Sequence, residues 1–323
     1  MRYDYSSIGF YTFDCLGWPF TAVPEGGGTH FIDELTLAVS GAAGTAAIAA
    51  AKMGLKVLAV GGVGPDLMGD WVLERLKSFS VDTSGMQRIE GSRTSSSIVT
   101  TRADGTRPAL HMKGATGDFF VDDTLLKQVI DARVVHIGGI GLMDRMDKGR
   151  NAELMRAAKA HGATTTLDVF ASSKADLPAV AEVLPFVDYF MPSIEEASAL
   201  TGFSGLADNA RYFIDLGVRA CVFTLGADGA YYHDNKGLHF QVPAFDVKVK
   251  CTCGCGDAFN AGFAVGLCHG FDPETTVRFA QATSALNATG LGSQAGVTSF
   301  EHTLDFMKRT PTRAKAEVAA QTR

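Results

Sequence analysis

Cys251-Thr252-Cys253-Gly254-Cys255-Gly256-Asp257-Ala258-Phe259-Asn260-Ala261-Gly262-Phe263 places glycines and a carboxylate at the start of an apolar segment with the character of a helix to about Gly270. Glycine has no side chain to hold a ligand away, so the backbone N–H groups of Gly254 and Gly256 are able to face an anion at the positive end of that helix. Such a turn suits a phosphoryl group. Asp257, beside it, is placed to take a proton from an attacking hydroxyl. A glycine-rich turn with a helix-capping aspartate has the same spelling and is the commoner origin of a lone G-x-G-D. The surrounding chain decides between the two.

Outward from this stretch, from about residue 40 onward, helix-period segments alternate with short β-rich apolar runs. That alternation predicts a parallel sheet covered by helices on both faces. Predicted strands include 57–62, 133–137, 164–169, 187–191 and 220–225. A helix is predicted over 69–79, where Val72, Leu76 and Phe79 recur at i, i+4 and i+7 as one core-facing stripe. Two stretches break the rhythm, one from Phe10 to about Thr36 and one from Ser92 to about Gly117. In the second, Asp104-Gly105 between the β-rich runs 97–101 and 108–112 predicts a hairpin. The expected organisation is an α/β domain over 1–9, 37–91 and 117–323 with a β-lid over 10–36 and 92–116. The polar, Ala-rich tail from Arg309 to Arg323 is expected to fray or to form a solvated helix.

The 323 residues suffice for one large core. A formal net charge of -6 without a basic run argues against a nucleic-acid surface, which needs clustered Lys and Arg. No uninterrupted apolar run reaches the length of a membrane span, and Met1 to Phe10 has no signal-peptide pattern, so the expected location is the cytoplasm with no membrane partner. Six cysteines are then expected as reduced thiols. Cys251, Cys253 and Cys255 lack the paired C-x2-C spacing and fourth ligand of a structural zinc site, and small apolar fillers are the expected role.

Residues 251–262 resemble the second signature of the ribokinase/PfkB family of carbohydrate kinases, D-T-x-G-A-G-D-x-F-x-x-G, with the glycines, the aspartate and the Phe in register. The family's first signature resembles Ser40-Gly41-Ala42-Ala43-Gly44-Thr45 followed by Gly61-Gly62-Val63-Gly64-Pro65-Asp66. The resemblance implies a ribokinase-like fold, a doubly wound, mostly parallel sheet with a small β-lid, and ATP-dependent phosphorylation of a hydroxyl on a sugar or sugar derivative. It implies Asp257 as catalytic base and the amides of Gly254, Cys255 and Gly256 as the anion hole. Asp14, Gly41, Ala42, Thr45 and the lid residue Arg107 are implied or candidate substrate contacts. Pro192-Ser193-Ile194-Glu195-Glu196 resembles the family's N-x-x-E motif, which gives Glu196 a role at magnesium and Ser193 one at the nucleotide. Thr224, Gly226 and Gly229 resemble the nucleotide loop, and Gln281 falls where the family touches adenine.

Three positions depart from the family pattern: Thr45 and Ser193 stand for Asn, and Cys251 stands for the first Asp of the second signature. That Asp commonly helps to hold a monovalent cation, and a neutral thiol is a poor ligand for potassium. The alternatives are a nucleoside kinase and a sugar-binding sensor of the same fold without turnover. A homodimer through the lid is a further expectation, because an exposed sheet edge and apolar face often pair with a second copy.

Overall fold

Every residue of the run Val57–Val63 is buried, as befits a strand covered on both faces. The computed structural model of the chain describes residues 1–170 and 173–313. Its strands are β1 (Tyr3–Gly9), β2 (Thr12–Trp18), β3 (Glu34–Ser40), β4 (Val57–Val63), β5 (Asp82–Arg88), β6 (Ser96–Thr100) and β7 (Ala109–Met112), then β8 (Ala132–Ile140), β9 (Thr164–Val169), β10 (Tyr189–Phe190), β11 (Ala220–Thr224), β12 (Ala230–Asp234) and β13 (His239–Val242). Its helices are α1 (Ala42–Lys52), α2 (Leu67–Ser78), α3 (Asp123–Val129), α4 (Arg150–Ala160), α5 (Leu177–Ala181), α6 (Ile194–Thr201), α7 (Leu206–Asp215), α8 (Cys255–Cys268), α9 (Pro273–Ala288) and α10 (Phe300–Arg309).

Nine strands form the main sheet in the order β13-β12-β11-β10-β9-β8-β1-β4-β5. Pairing is parallel from β5 to β11 and antiparallel only at β12 and β13. Side chains alternate across the pleat. Val57 and Ala59 point into a core with Val72 and Leu76 of α2, Ala261 and Val265 of α8 and Phe279 of α9. Leu58 and Val60 point into the opposite core with Leu154 of α4, Ala197 of α6 and Phe213 of α7. The sheet is therefore doubly wound.

The five predicted strands are all present, the one over 187–191 shortened to Tyr189–Phe190. The predicted helix over 69–79 is α2, which starts earlier because Asp66 caps it, accepting from Gly69 N at 2.9 Å. Val72 and Leu76 are fully buried and Phe79 packs beside them. Tyr3–Gly9, a segment for which no element was predicted, is an inner strand of the sheet, between β8 and β4.

A second, four-stranded sheet has the order β3-β2-β6-β7. It draws on the two stretches that break the helix–strand rhythm and on residues up to Ser40. β6 and β7 pair antiparallel, with Ile98 opposite Leu110, and the turn between them is closed by Arg102 N to Thr106 O at 2.8 Å and Gly105 N to Arg102 O at 3.0 Å. Rows of side chains cross this sheet. Asp14, Ala38, Ser97 and His111 form one row, and Leu37, Cys15, Ile98 and Leu110 form the next, on the opposite face. Among the described residues, no helix is long and apolar enough to cross a membrane. The predicted tail reaches Arg313 within the described residues, where Thr312 bridges to Phe245, and the remainder of that expectation lies outside them.

Candidate active site

The first row of the small sheet faces a cleft of about 580 Å³ whose other walls are the carboxyl end of β9, the start of α6 and the start of α8. Asp14, Gly41, Ala42, Arg107, Gly254, Gly256 and Asp257 all line it, as do Ser193, Glu196 and Thr224. Residues up to 243 positions apart thus meet in one cavity, counting from Asp14 to Asp257.

The N-terminus of α8 forms the floor. Gly254 is its N-cap in a left-handed conformation, φ +70°, and no side chain caps the first turn. The first amides of a helix have no partner within it, so they present positive charge to the cleft. A Cβ at Gly254 would lie 2.9 Å from Ser293 Oγ and 3.0 Å from Thr45 Cγ2, which makes glycine obligatory here on both backbone and packing grounds. The preceding loop is pinned by Asn287, whose Nδ2 donates to the Cys253 carbonyl at 2.7 Å. Below it Ser40 Oγ and Ser293 Oγ are 2.6 Å apart.

Asp257, half-buried on the first turn, has its carboxyl pushed up to about 6. Burial is the main cause, the negative charges of Glu196 and Asp14 add to it, and the Arg107 charge and the Thr45 hydroxyl oppose it. A carboxylate at this value is still mostly ionised at neutral pH and is a stronger base than a surface aspartate. Asp14, 4% exposed, is also raised, chiefly by burial. Its Oδ1, Thr12 Oγ1 and Thr45 Oγ1 are buried with no partner in good hydrogen-bond geometry, although the Thr12 hydroxyl lies close enough to favour ionised Asp14 and that of Thr45 to favour ionised Asp257. Buried polar atoms are rarely left so unless something else binds them, and here two of the three residues line the cleft.

Asp168 is among the cleft residues that escaped the sequence reading. Asp168, at the carboxyl end of β9, lines the cleft and accepts from Asn260 Nδ2 at 2.7 Å and from Val169 N at 2.8 Å. Its carboxyl is pushed well above the usual range by burial and then by the charges of Glu196 and Asp257. The signal was available, since open α/β sheets bind ligands at the carboxyl ends of their strands, and 164–169 was a predicted strand.

Ser193 and Glu196 close a capping box at the start of α6: Glu196 Oε2 accepts from Ser193 N and Oγ, both at 2.9 Å, and Ser193 Oγ accepts from Glu196 N at 3.2 Å. Thr224 pairs with Ser193 across an isolated parallel bridge. Gly226, Gly229 and Gln281 are not in the cleft wall. Gly226 lies in the turn after β11 with open space beside it, whereas a Cβ at Gly229, φ +98°, would sit 1.9 Å from the Val242 carbonyl. Gln281 is buried within α9. Thr45 lies beneath the cleft wall on α1, and Cys255 is half-buried with its sulfur 3.4 Å from Asn287 Nδ2.

Cys251 and Cys253 pack with Leu16, Ala38, Val99 and Leu291. Cys251 Sγ accepts from Cys253 N at 3.3 Å and lies 3.6 Å from Thr101 Oγ1. Hydrogen bonding, first from the Cys253 thiol, pulls Cys251 down to about 5 and pushes Cys253 up. No group of three or more metal-ligating side chains occurs among the described residues.

The profile of the pfkB family of carbohydrate kinases matches residues 19–299. The ribokinase of Staphylococcus aureus (strain COL) is 29% identical over 285 residues, 85% of this chain and 90% of that protein. Fructokinase-2 of Solanum lycopersicum is 26% identical over 290 residues, 84% of this chain and 87% of that protein. Among solved structures, the Arabidopsis thaliana ribokinase complexed with ribose and ATP superposes with a TM-score of 0.81 at 23% identity, over 95% of this chain and 99% of that one.

Proposed function

The chain belongs to the pfkB family of carbohydrate kinases, and from that membership we propose that it transfers the γ-phosphoryl group of ATP to a hydroxyl of a sugar or sugar derivative, with Asp257 as the general base. The observation that carries this reading is the placing of a raised carboxyl beside the uncapped N-terminus of α8, at the floor of a cleft roofed by the small sheet. The acceptor lies against that sheet. Its hydroxyls satisfy Asp14 Oδ1 and Thr12 Oγ1, the buried atoms that the protein leaves without partners. One acceptor hydroxyl then points at Asp257. Asp257 takes its proton as the oxygen attacks the γ-phosphorus, and the amides of Gly254, Cys255 and Gly256 receive the charge on the transferring group. The roof excludes water, which limits idle hydrolysis of ATP.

Asp168 and Glu196 are the carboxylates that would hold magnesium, through water or directly, and the ion would neutralise phosphate charge. A donor set of few carboxylates suits an ion that keeps most of its water and takes its other ligands from phosphates. The monovalent-cation position of the family does not fit this chain. Cys251 offers a soft sulfur already bonded to the Cys253 amide, so transfer proceeds without potassium activation. The outer row of the small sheet, with Leu37, Ile98 and Leu110 exposed by 42%, 57% and 72%, supports a second copy of the chain pairing there.

The test is ADP release with magnesium and ATP over a panel of ketoses, aldoses, sugar acids and nucleosides, for the natural chain and Asp257→Asn. Turnover on one acceptor that falls about a hundredfold or more in the variant supports the assignment and names the substrate. Undiminished turnover removes Asp257 from the mechanism. Thermal stabilisation by a sugar without ADP from any acceptor would make the chain a sensor.

A further inference from the structure

The tip of the lid hairpin is tied to the loop that enters the anion hole. Thr252 donates its N–H at 3.3 Å and its hydroxyl at 3.1 Å to the Gly105 carbonyl, and the Thr101 hydroxyl reaches Cys251 Sγ at 3.6 Å. Arg107 follows Gly105 by two residues and lines the cleft together with Gly254, Gly256 and Asp257. Apart from His111, every other ionisable carboxyl or basic side chain among the cleft-lining residues is an acid: Asp14, Asp168, Glu196 and Asp257. His111, the remaining basic group there, is pushed toward its neutral form by burial. Among the described residues, no hydrogen bond or ion pair holds the Arg107 guanidinium.

The charge of Arg107 acts at one end of the cleft. It favours the anionic forms of Cys253, Cys255 and Asp257, all at the start of α8. Asp14, whose charge also reaches Cys253 and Asp257, is itself acted on by His111. A cation that acts on the α8 N-terminus faces the place where phosphoryl charge gathers, in a cleft whose carboxylates otherwise repel that charge.

We infer that Arg107 is a catalytic residue: docking of the hairpin tip on Thr252 carries its guanidinium over the anion hole, where it binds the oxygens of the phosphoryl group in transfer. The inference rests on the phosphoryl-transfer reading above. The acceptor O–H bond breaks and its proton goes to Asp257. The acceptor oxygen bonds to the γ-phosphorus, the bond from phosphorus to the bridging oxygen breaks, and that electron pair leaves on ADP. Arg107 keeps its proton throughout and supplies charge and a planar fork that matches two phosphate oxygens. Because the latch joins the hairpin to the loop of the hole itself, roof closure and completion of the hole are a single event.

Arg107→Ala and Arg107→Lys are to be compared with the natural chain on whichever acceptor it phosphorylates. The expected result is a kcat lower by about a hundredfold or more in Arg107→Ala, an acceptor KM within about threefold, and an intermediate kcat in Arg107→Lys. Millimolar guanidinium chloride is expected to restore part of the Arg107→Ala rate and none of the Lys variant's. A large rise in acceptor KM with kcat retained would assign Arg107 to acceptor recognition and overturn the inference, as would unchanged kinetics. Binding of ADP with aluminium fluoride, a mimic of the phosphoryl group in transfer, decides independently of turnover: Arg107→Ala is expected to weaken it at least tenfold while leaving ADP alone unaffected, and equal weakening of both, or weakening of neither, overturns the assignment. Absence of ADP formation by the natural chain with every acceptor would sink the kinase reading instead, and leaves the binding comparison to judge Arg107.

Discussion

Asn260 donates its side-chain amide to Asp168 across 2.7 Å, joining α8, one turn beyond the proposed base, to the carboxyl end of β9. The amide holds in place a carboxyl that burial and two negative neighbours make reluctant to ionise. A carboxyl raised on folding stabilises the protein while it is protonated and loses that contribution as pH climbs from its unfolded value through its folded one. Asp168→Asn keeps the shape and removes the charge. Chemical denaturation should therefore show the variant more stable than the natural chain at pH 8, by about 1 kcal/mol or more, with the gain shrinking at pH 5. Equal differences at the two pH values would mean that Asp168 ionises freely.

The proposed base, its carboxyl raised to about 6, is expected to set the acid limb of the rate. Only ionised Asp257 accepts a proton, so kcat/KM should be half-maximal at about pH 6 and fall about tenfold per unit below that. Thr45 favours the ionised form, and Thr45→Val should move the limb upward. A limb near the ordinary aspartate value would separate Asp257 from the rate.

At Gly254 the backbone and the neighbours both exclude a side chain. Gly254→Ala costs about 1–2 kcal/mol in the left-handed conformation alone and forces Ser293 or Thr45 aside. Turnover should drop at least tenfold, with a loss of only a few degrees in melting temperature. Native turnover in the variant would show that the α8 amides do not receive the transferring group.

Replacing potassium by sodium or tetramethylammonium should change turnover less than about twofold, because Cys251 offers sulfur where a hard ion needs oxygen. Activation of tenfold or more by potassium would require ligands from elsewhere in the loop.

Gly229 separates packing from nucleotide contact. A Cβ there meets the Val242 carbonyl at 1.9 Å and would part β12 from β13. Gly229→Ala should lower stability by several kcal/mol, since neither the backbone nor the edge of the sheet can yield cheaply.

The alternation of 3.6 and 2 periodicities made the doubly wound sheet readable, because strands such as Val57–Val63 are apolar throughout and helices such as α2 show a stripe. The glycine turn that opens α8 was equally plain, and Gly254 adopts a φ of +70° there. Less plain was Tyr3–Gly9, whose polar Ser6 and Ser7 mask a fully internal strand. Asp168 and Asn260 stayed hidden for a different reason: each is a common residue in a common context, and only tertiary placing makes them a pair. Gln281 takes its expected place at the nucleotide from a family pattern alone, and it is a buried residue of α9.

The contact between Ser40 and Ser293 spans 253 positions of the chain, and Gln294 likewise donates to the Val39 carbonyl. During synthesis the strands of the small sheet leave the ribosome long before the residues that Val39 and Ser40 rest on exist. A nascent chain stopped short of Ser293 has the start of α8 but lacks the side chain that packs against both Ser40 and Gly254. The small sheet and the loop that follows it therefore gain this support only once the chain has been made as far as Ser293 and Gln294.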